Sequence, residues 1–179
     1  MSIKKLNTVI CNSSPIIGLS GIGKLELLWI IFEEVLIPEA VYNEVIKSQN
    51  NKRTGTEELH DAIEKGLIKV YHVKDELFVN RFTGKLHRGE LEVIAGAKEL
   101  NLEYLLIDEK SARSLAEALM LEPTGLLGIL KFAKLSGAIE TLKPYLDGLI
   151  ENNYRISKKL YNGILLDVGE DGTSDVDLE

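Results

Sequence analysis

Cysteine is almost missing from this chain. The single one, Cys11, excludes an internal disulfide framework and suits a reducing, cytoplasmic setting. It closes the apolar run Val9-Ile10-Cys11, so it reads as a small core residue at the end of a strand. No apolar run reaches the roughly 18 residues of a membrane span, which argues against a membrane association. Met1 to Asn7 is basic and then polar, without the apolar stretch and small-residue cleavage site of a secretory signal. Histidine is scarce as well. His60, His72 and His87 lack the spacing of metal ligands, and no Ser/His/Asp arrangement can be read from their order.

What is present is a 179-residue chain, 45% hydrophobic and 27% charged, enough for one domain with a substantial core. The net charge of −7 is unevenly placed. Leu166 to Glu179 holds six acids and no base, which leaves 22 acids against 21 bases elsewhere. The body is therefore near neutral, and no whole-chain basic footprint announces a nucleic acid. The acidic end, with its glycines and few apolar residues, predicts a disordered tail over 166–179 behind a domain over 1–165.

Short apolar runs alternate with amphipathic stretches, the pattern of a parallel sheet covered by helices. The expected strands are Thr8 to Cys11, Val35 to Ile37, Leu67 to Val73 and Tyr104 to Ile107, with a short fifth around Leu121. Ser14 is placed to cap the first helix, with Pro15 in its first turn. Further helices are expected over 24–31, 39–47, 57–65, 88–100, 111–120, 125–135, 142–152 and 158–167, with a polar loop over 50–54. The fold class is thus α/β, a central parallel sheet of four to five strands flanked by helices. Trp29 and Phe32 fall to the core. Gly18 to Leu25 nearly matches a phosphate-binding loop, but Leu25 replaces the hydroxyl that would meet Mg²⁺. Its glycines read instead as allowing two helices to meet closely.

In such sheets ligands bind beyond the carboxyl ends of the strands, where strand order reverses. That directs attention to Asn12-Ser13-Ser14 and Asp108-Glu109. Asp108 serves equally well as a site carboxylate and as the cap of the helix near Ser111. Glu90 shares a helical stripe with Ile94 and Ala97, so it faces the fold, whereas Glu92 falls on a more exposed side. A glutamate near a helix N-terminus needs no function, however. Glu44 lies between Val41 and Val45 at the edge of a buried face. The basic candidates are Arg53, Arg88, Lys110, Arg113, Arg155, Lys158 and Lys159; Arg88 and Arg113 lie nearest these acids in sequence.

Four segments, Val9 to Pro15, Val35 to Val45, Arg88 to Ala97 and Leu105 to Arg113, together resemble, in order and spacing, the PIN-domain family of metal-dependent ribonucleases. The continuation, including Thr124 to Gly128 and Tyr154 to Ser157, is similar to a PIN-like subgroup of unknown function. The resemblance implies a three-layer PIN-like fold. It implies that Asn12, Glu44, Glu90 and Asp108 are catalytic and hold Mg²⁺ or Mn²⁺, with Glu109 an alternative fourth acid. It implies hydrolysis of RNA phosphodiesters by metal-activated water, with Ser14, Arg88 and Arg113 toward the substrate. It further implies a small antitoxin protein as partner and a homodimer. One departure stands out: Asn12 occupies a position where these nucleases commonly carry Asp, as it does in the similar subgroup. The alternative is a non-catalytic module that binds RNA or a protein.

Overall fold

The computed structural model describes residues 4–46 and 55–171. The loop expected over 50–54, Arg53, Lys47 and the last eight tail positions lie outside the described residues.

The β-rich runs become five parallel strands: β1 Leu6–Cys11, β2 Phe32–Pro38, β3 Lys69–Tyr71, β4 Tyr104–Leu106 and β5 Glu122–Thr124. They assemble in the order β3-β2-β1-β4-β5. The chain builds outward from β1 to β3, then returns to the other side of β1 for β4 and β5. Strand order therefore reverses between β1 and β4, where Cys11 pairs with Leu106 and the Asn12 N–H donates to the Leu106 carbonyl at 2.9 Å. Parallel strands covered on both faces read as continuous apolar runs; accordingly Val9, Ile10, Cys11, Leu105, Leu106 and Ile107 are fully buried. Burial pushes the Cys11 thiol well above its ordinary value, as an inert core position requires.

Ten helices among the described residues flank the sheet. They are α1 Ser13–Gly21, α2 Leu27–Ile31, α3 Glu39–Ile46, α4 Thr56–Glu64, α5 Glu76–Phe82, α6 Arg88–Glu99, α7 Lys110–Ala118, α8 Leu126–Leu135, α9 Lys143–Glu151 and α10 Lys158–Asp167. The three-layer α/β arrangement is that expected. Helix α6 packs across β1, β2 and β4, and meets α3 and α5 as well. Helix α1 packs on α3, α8 and α9.

Several local expectations change. Helix α1 begins at Ser13, so Ser14 is inside its first turn and caps nothing; Asn12 holds the cap position without a side-chain cap bond. Helix α2 starts at Leu27 rather than Lys24, because Gly23 takes a left-handed φ of 62°. Phe32 belongs to β2 and is buried. Helix α5 was not anticipated. Seven residues carry little periodicity, and its start is fixed by Asp75, whose side chain accepts from the Phe78 N–H.

The acidic end is also better tied than its composition implies. Tyr161, Ile164 and Leu165 of α10 are buried. Glu170 accepts from the Leu142 and Lys143 N–H groups at 2.7 and 2.9 Å and pairs with Lys134 at 3.2 Å. It caps α9 from the far end of the chain. Contacts with the body of the domain therefore continue past residue 165, to Glu170. Burial raises the Glu170 pKa, but the two N–H donors and Lys134 outweigh it, and the net shift is downward. A lowered folded value stabilises above the ordinary glutamate range and is lost as pH falls through it. Glu170→Ala is expected to cost about 1–2 kcal/mol at neutral pH, as lost helix caps do, and to flatten the acid limb of stability below about pH 5. Chemical denaturation of both proteins from pH 3 to 7 measures this.

Candidate metal centre

The carboxyl ends of β1 and β2 open onto a cleft of about 940 Å³. Asn12 reaches it from the end of β1, Glu39 and Glu44 from α3, and Arg88 and Glu90 from the N-terminal turn of α6. The convergence is made by Gly89. A Cβ built there would lie 3.3 Å from Asn12 Oδ1 and 3.6 Å from Glu44 Oε2, and 3.2 Å from Val41. The missing side chain is what lets the amide oxygen and the carboxylate approach the same point from β1 and α3.

Each oxygen has a distinct state. Asn12 is buried, yet spends nothing on capping α1, although asparagine is among the preferred cap residues. Glu90 is buried, and one of its oxygens accepts from the His87 N–H at 3.0 Å, closing a capping box at the start of α6. Glu44 is exposed at the cleft wall.

Glu92 is the main surprise at this end of the molecule. Expected to face outward, it is buried. Its carboxylate accepts from the Ala40 N–H at 2.9 Å and from Arg88 Nε at 2.6 Å. It thereby clamps the first turn of α3, which carries Glu44, onto α6, which carries Glu90. The reason is that α6 is an interior helix. The sheet covers one side, while α5 and its surroundings cover another through Val79, Leu91 and Ala95. Arg88, expected to face substrate, is instead bound to Glu92 and to Glu76 at 2.7 Å. The cleft thus presents Glu39, Glu44 and Glu90 with its nearest guanidinium already neutralised.

Asp108 sits in a neighbouring cavity of about 390 Å³, which shares Ser14 with the cleft as a lining residue. Its Oδ1 accepts from the Leu126 N–H at 2.8 Å, so it caps α8 rather than the helix near Ser111. Glu109 caps that one, α7, through the Ser111 N–H and hydroxyl, and these bonds hold its carboxyl below the usual range. Burial raises the Asp108 carboxyl, against the opposing effects of the Leu126 N–H, the Tyr154 hydroxyl and Arg113. Arg113 donates to the Ile107 carbonyl at 3.2 Å, and Gly125 leaves the space in which it meets Asp108. Of the two candidate fourth acids, Glu109 shares a cavity with Glu90 and His87.

The geometry thus brings Asn12, Ser14, Glu44, Arg88 and Glu90 into one cleft and sets Asp108 and Arg113 beside it. Sequence reasoning missed Asn43 and His87 as lining residues and Tyr154 as a neighbour of Asp108, since only tertiary packing brings these together. Against this arrangement, a family model described as DUF3368, a PIN domain, matches residues 8–170. The chain belongs to the PIN-domain family. Its sheet and helices accordingly form a nuclease-type fold. Among curated proteins, none matches the chain.

The donor set of the PIN cleft fits a hard divalent cation. Mg²⁺ takes oxygen ligands, keeps several waters and is commonly held by one or two carboxylates; Glu44 and Glu90 supply two, and Asn12 a neutral carbonyl. Among the described residues, one trio of His, Asp and Glu places its ligand atoms within 4.8 Å of one another, but it lies elsewhere: His60, Asp61 and Glu64, all exposed on α4. There His60 lies 3.7 Å from Glu64, and Lys65 lies 3.9 Å from Asp61.

Proposed function

We propose that this PIN domain is a ribonuclease dependent on Mg²⁺ or Mn²⁺, with Asn12, Glu44 and Glu90 holding the ion. The observation that carries this reading is the acidic cleft whose only lining guanidinium among the described residues, Arg88, is already bound to carboxylates. A phosphodiester is anionic and would be repelled there unless a cation stood between it and Glu44 and Glu90. A divalent ion in that place supplies charge for the phosphate and lowers the pKa of water toward neutrality. The chain's own residues do the rest. Glu90 is fixed by its capping bond, so its free oxygen is presented without rearrangement. Glu92 and Arg88 hold the α3–α6 angle and with it the separation of Glu44 and Glu90. Ser14 lies at the junction of the two cavities, where a strand passing between them would touch it. A small protein that silenced the site would have to present a cation to the same carboxylates.

A mixed pool of structured and single-stranded RNA, incubated with the protein and Mn²⁺ or Mg²⁺, tests the proposal. Cleavage that EDTA abolishes is expected. The neutral Asn12 favours the second reading, a PIN module that binds without cutting, and absence of cleavage by well-folded protein at high concentration would establish it. Asn12→Asp separates the two further. Added ligand charge is expected to raise Mn²⁺ affinity by about an order of magnitude, read by calorimetry, and to raise cleavage with it.

A further inference from the structure

A third space adjoins the site. It measures about 450 Å³, shares His87 and Glu90 with the cleft, and shares Glu109 with the cavity of Asp108. Lys85 and Ser111 line it as well. Among the described residues, Arg88 and Lys85 are the only arginine and lysine lining any of the three spaces. Arg88 is taken up by Glu76 and Glu92. Lys85 is exposed, and its ammonium makes no ion pair or hydrogen bond among the described residues. The two acids beside it are engaged at helix starts instead. Glu90 accepts from the His87 N–H, and Glu109 accepts from the Ser111 N–H and hydroxyl at 3.3 and 2.9 Å.

The base of Lys85 is nevertheless fixed. The Thr83 hydroxyl donates to the Val79 carbonyl at 2.9 Å, the Lys85 N–H donates to the Phe82 carbonyl at 3.1 Å, and Thr83 and Leu86 bridge across the turn. Gly84 takes a φ of 88° at its corner, a conformation that favours glycine. Leu86 packs against the cluster of Val79, Leu91 and Ala95. The turn is thereby tied to α6, the helix that carries Glu90.

We propose that an RNA strand held in the cleft continues past His87 and Glu90 into this third space, where Lys85 contacts the phosphate next to the one at the ion. The proposal rests on the ribonuclease reading for what occupies the cleft. A strand brings a negative charge with every nucleotide, while one divalent ion answers only the phosphate it touches. The next phosphate needs a cation of its own among walls that carry Glu39, Glu44, Glu90 and Glu109. Lys85 is the one lysine or arginine among the described lining residues that is free to serve. Lysine meets phosphate as a point charge, and such contacts place the strand without reading its bases.

The test is fluorescence anisotropy of a labelled single-stranded RNA decamer of mixed sequence, titrated with the full chain over a series of KCl concentrations. Ca²⁺, another hard ion that takes oxygen ligands, replaces Mg²⁺ so that binding is read apart from cleavage. Lys85→Ala is expected to weaken binding roughly two- to fivefold at low salt, the scale of an exposed ion pair. It is also expected to lower the slope of log affinity against log salt by about 0.7, the share of one phosphate contact on a single strand. Lys85→Arg is expected to keep both. Lys5→Ala removes an equal charge just before β1, at the end of the sheet away from the cleft, and is expected to change neither. Calorimetry without RNA is expected to show that Lys85→Ala binds Mn²⁺ no more weakly than the parent. Weaker Mn²⁺ binding would assign the loss to the ion and overturn the phosphate contact. An unchanged slope in Lys85→Ala, or an equal fall in Lys5→Ala, would overturn it too, and the nuclease reading would still stand on Mg²⁺-dependent cleavage by the parent. A fall confined to Lys85→Ala, in a protein that cleaves nothing, would support the strand's path while the nuclease reading fails.

Discussion

Glu90→Gln is expected to lower metal-dependent RNA cleavage by about two orders of magnitude or more, with the melting temperature unchanged within about 2 °C. The two halves of that expectation come from different atoms of one side chain. Glutamine serves as well as glutamate at the third position of a capping box, so the bond from the His87 N–H survives and α6 starts where it did. What is lost is the negative charge next to the ion, and stabilisation of a phosphoryl centre through a metal is worth several kcal/mol, with each 1.4 kcal/mol a factor of ten in rate. Steady-state cleavage and a thermal melt on the same preparation separate the outcomes. Activity preserved in Glu90→Gln would reduce Glu90 to a helix cap.

Glu92→Ala should behave in the opposite way, as a fault of folding first. Its carboxylate is buried and holds the Ala40 N–H at 2.9 Å. Removing a buried acceptor that makes a charge-assisted bond and leaving its donor bare costs about 2–3 kcal/mol. Arg88 adds little to that figure, because it is half-exposed, with its other partner Glu76 equally so, and solvent screens such pairs. For a domain of this size the loss corresponds to roughly 5–10 °C in melting temperature. Cleavage is expected to fall as well, since the clamp between α3 and α6 sets how Glu44 faces Glu90. Glu92→Gln retains an acceptor for Ala40 and is expected to recover most of the stability. A melt series of the three proteins reads the difference.

These two glutamates, two positions apart on one helix, mark how far the sequence is legible. Glu90 could be found, because its stripe with Ile94 and Ala97 follows helical periodicity and points to the sheet. Glu92 could not, because the same reasoning assumes that a helix has one buried side. Helix α6 is buried around Gly89 to Ala97, and α5, which supplies part of the cover, is too short to leave a periodic signal. The sheet was readable from its continuous apolar runs, and the reversal of strand order between β1 and β4 pointed to the candidate cleft. The division of labour at Asp108-Glu109 was not readable. Both are good caps, and only the position of α8 decides that Asp108 binds the Leu126 N–H while Glu109 binds Ser111. The hold on Glu170 was not readable for a related reason. Glu170 counts as one more tail charge until α9 is in place to donate to it.

The central claim is that a divalent ion sits among Asn12, Glu44 and Glu90. Titrating Mn²⁺ into isotope-labelled protein tests it most directly, since the paramagnetic ion broadens the backbone signals nearest to it. The account predicts that Asn12, Glu44, Gly89 and Glu90 broaden first, and that Glu90→Gln weakens the effect. Broadening centred on His60, Asp61 and Glu64, with the cleft signals intact, would contradict it.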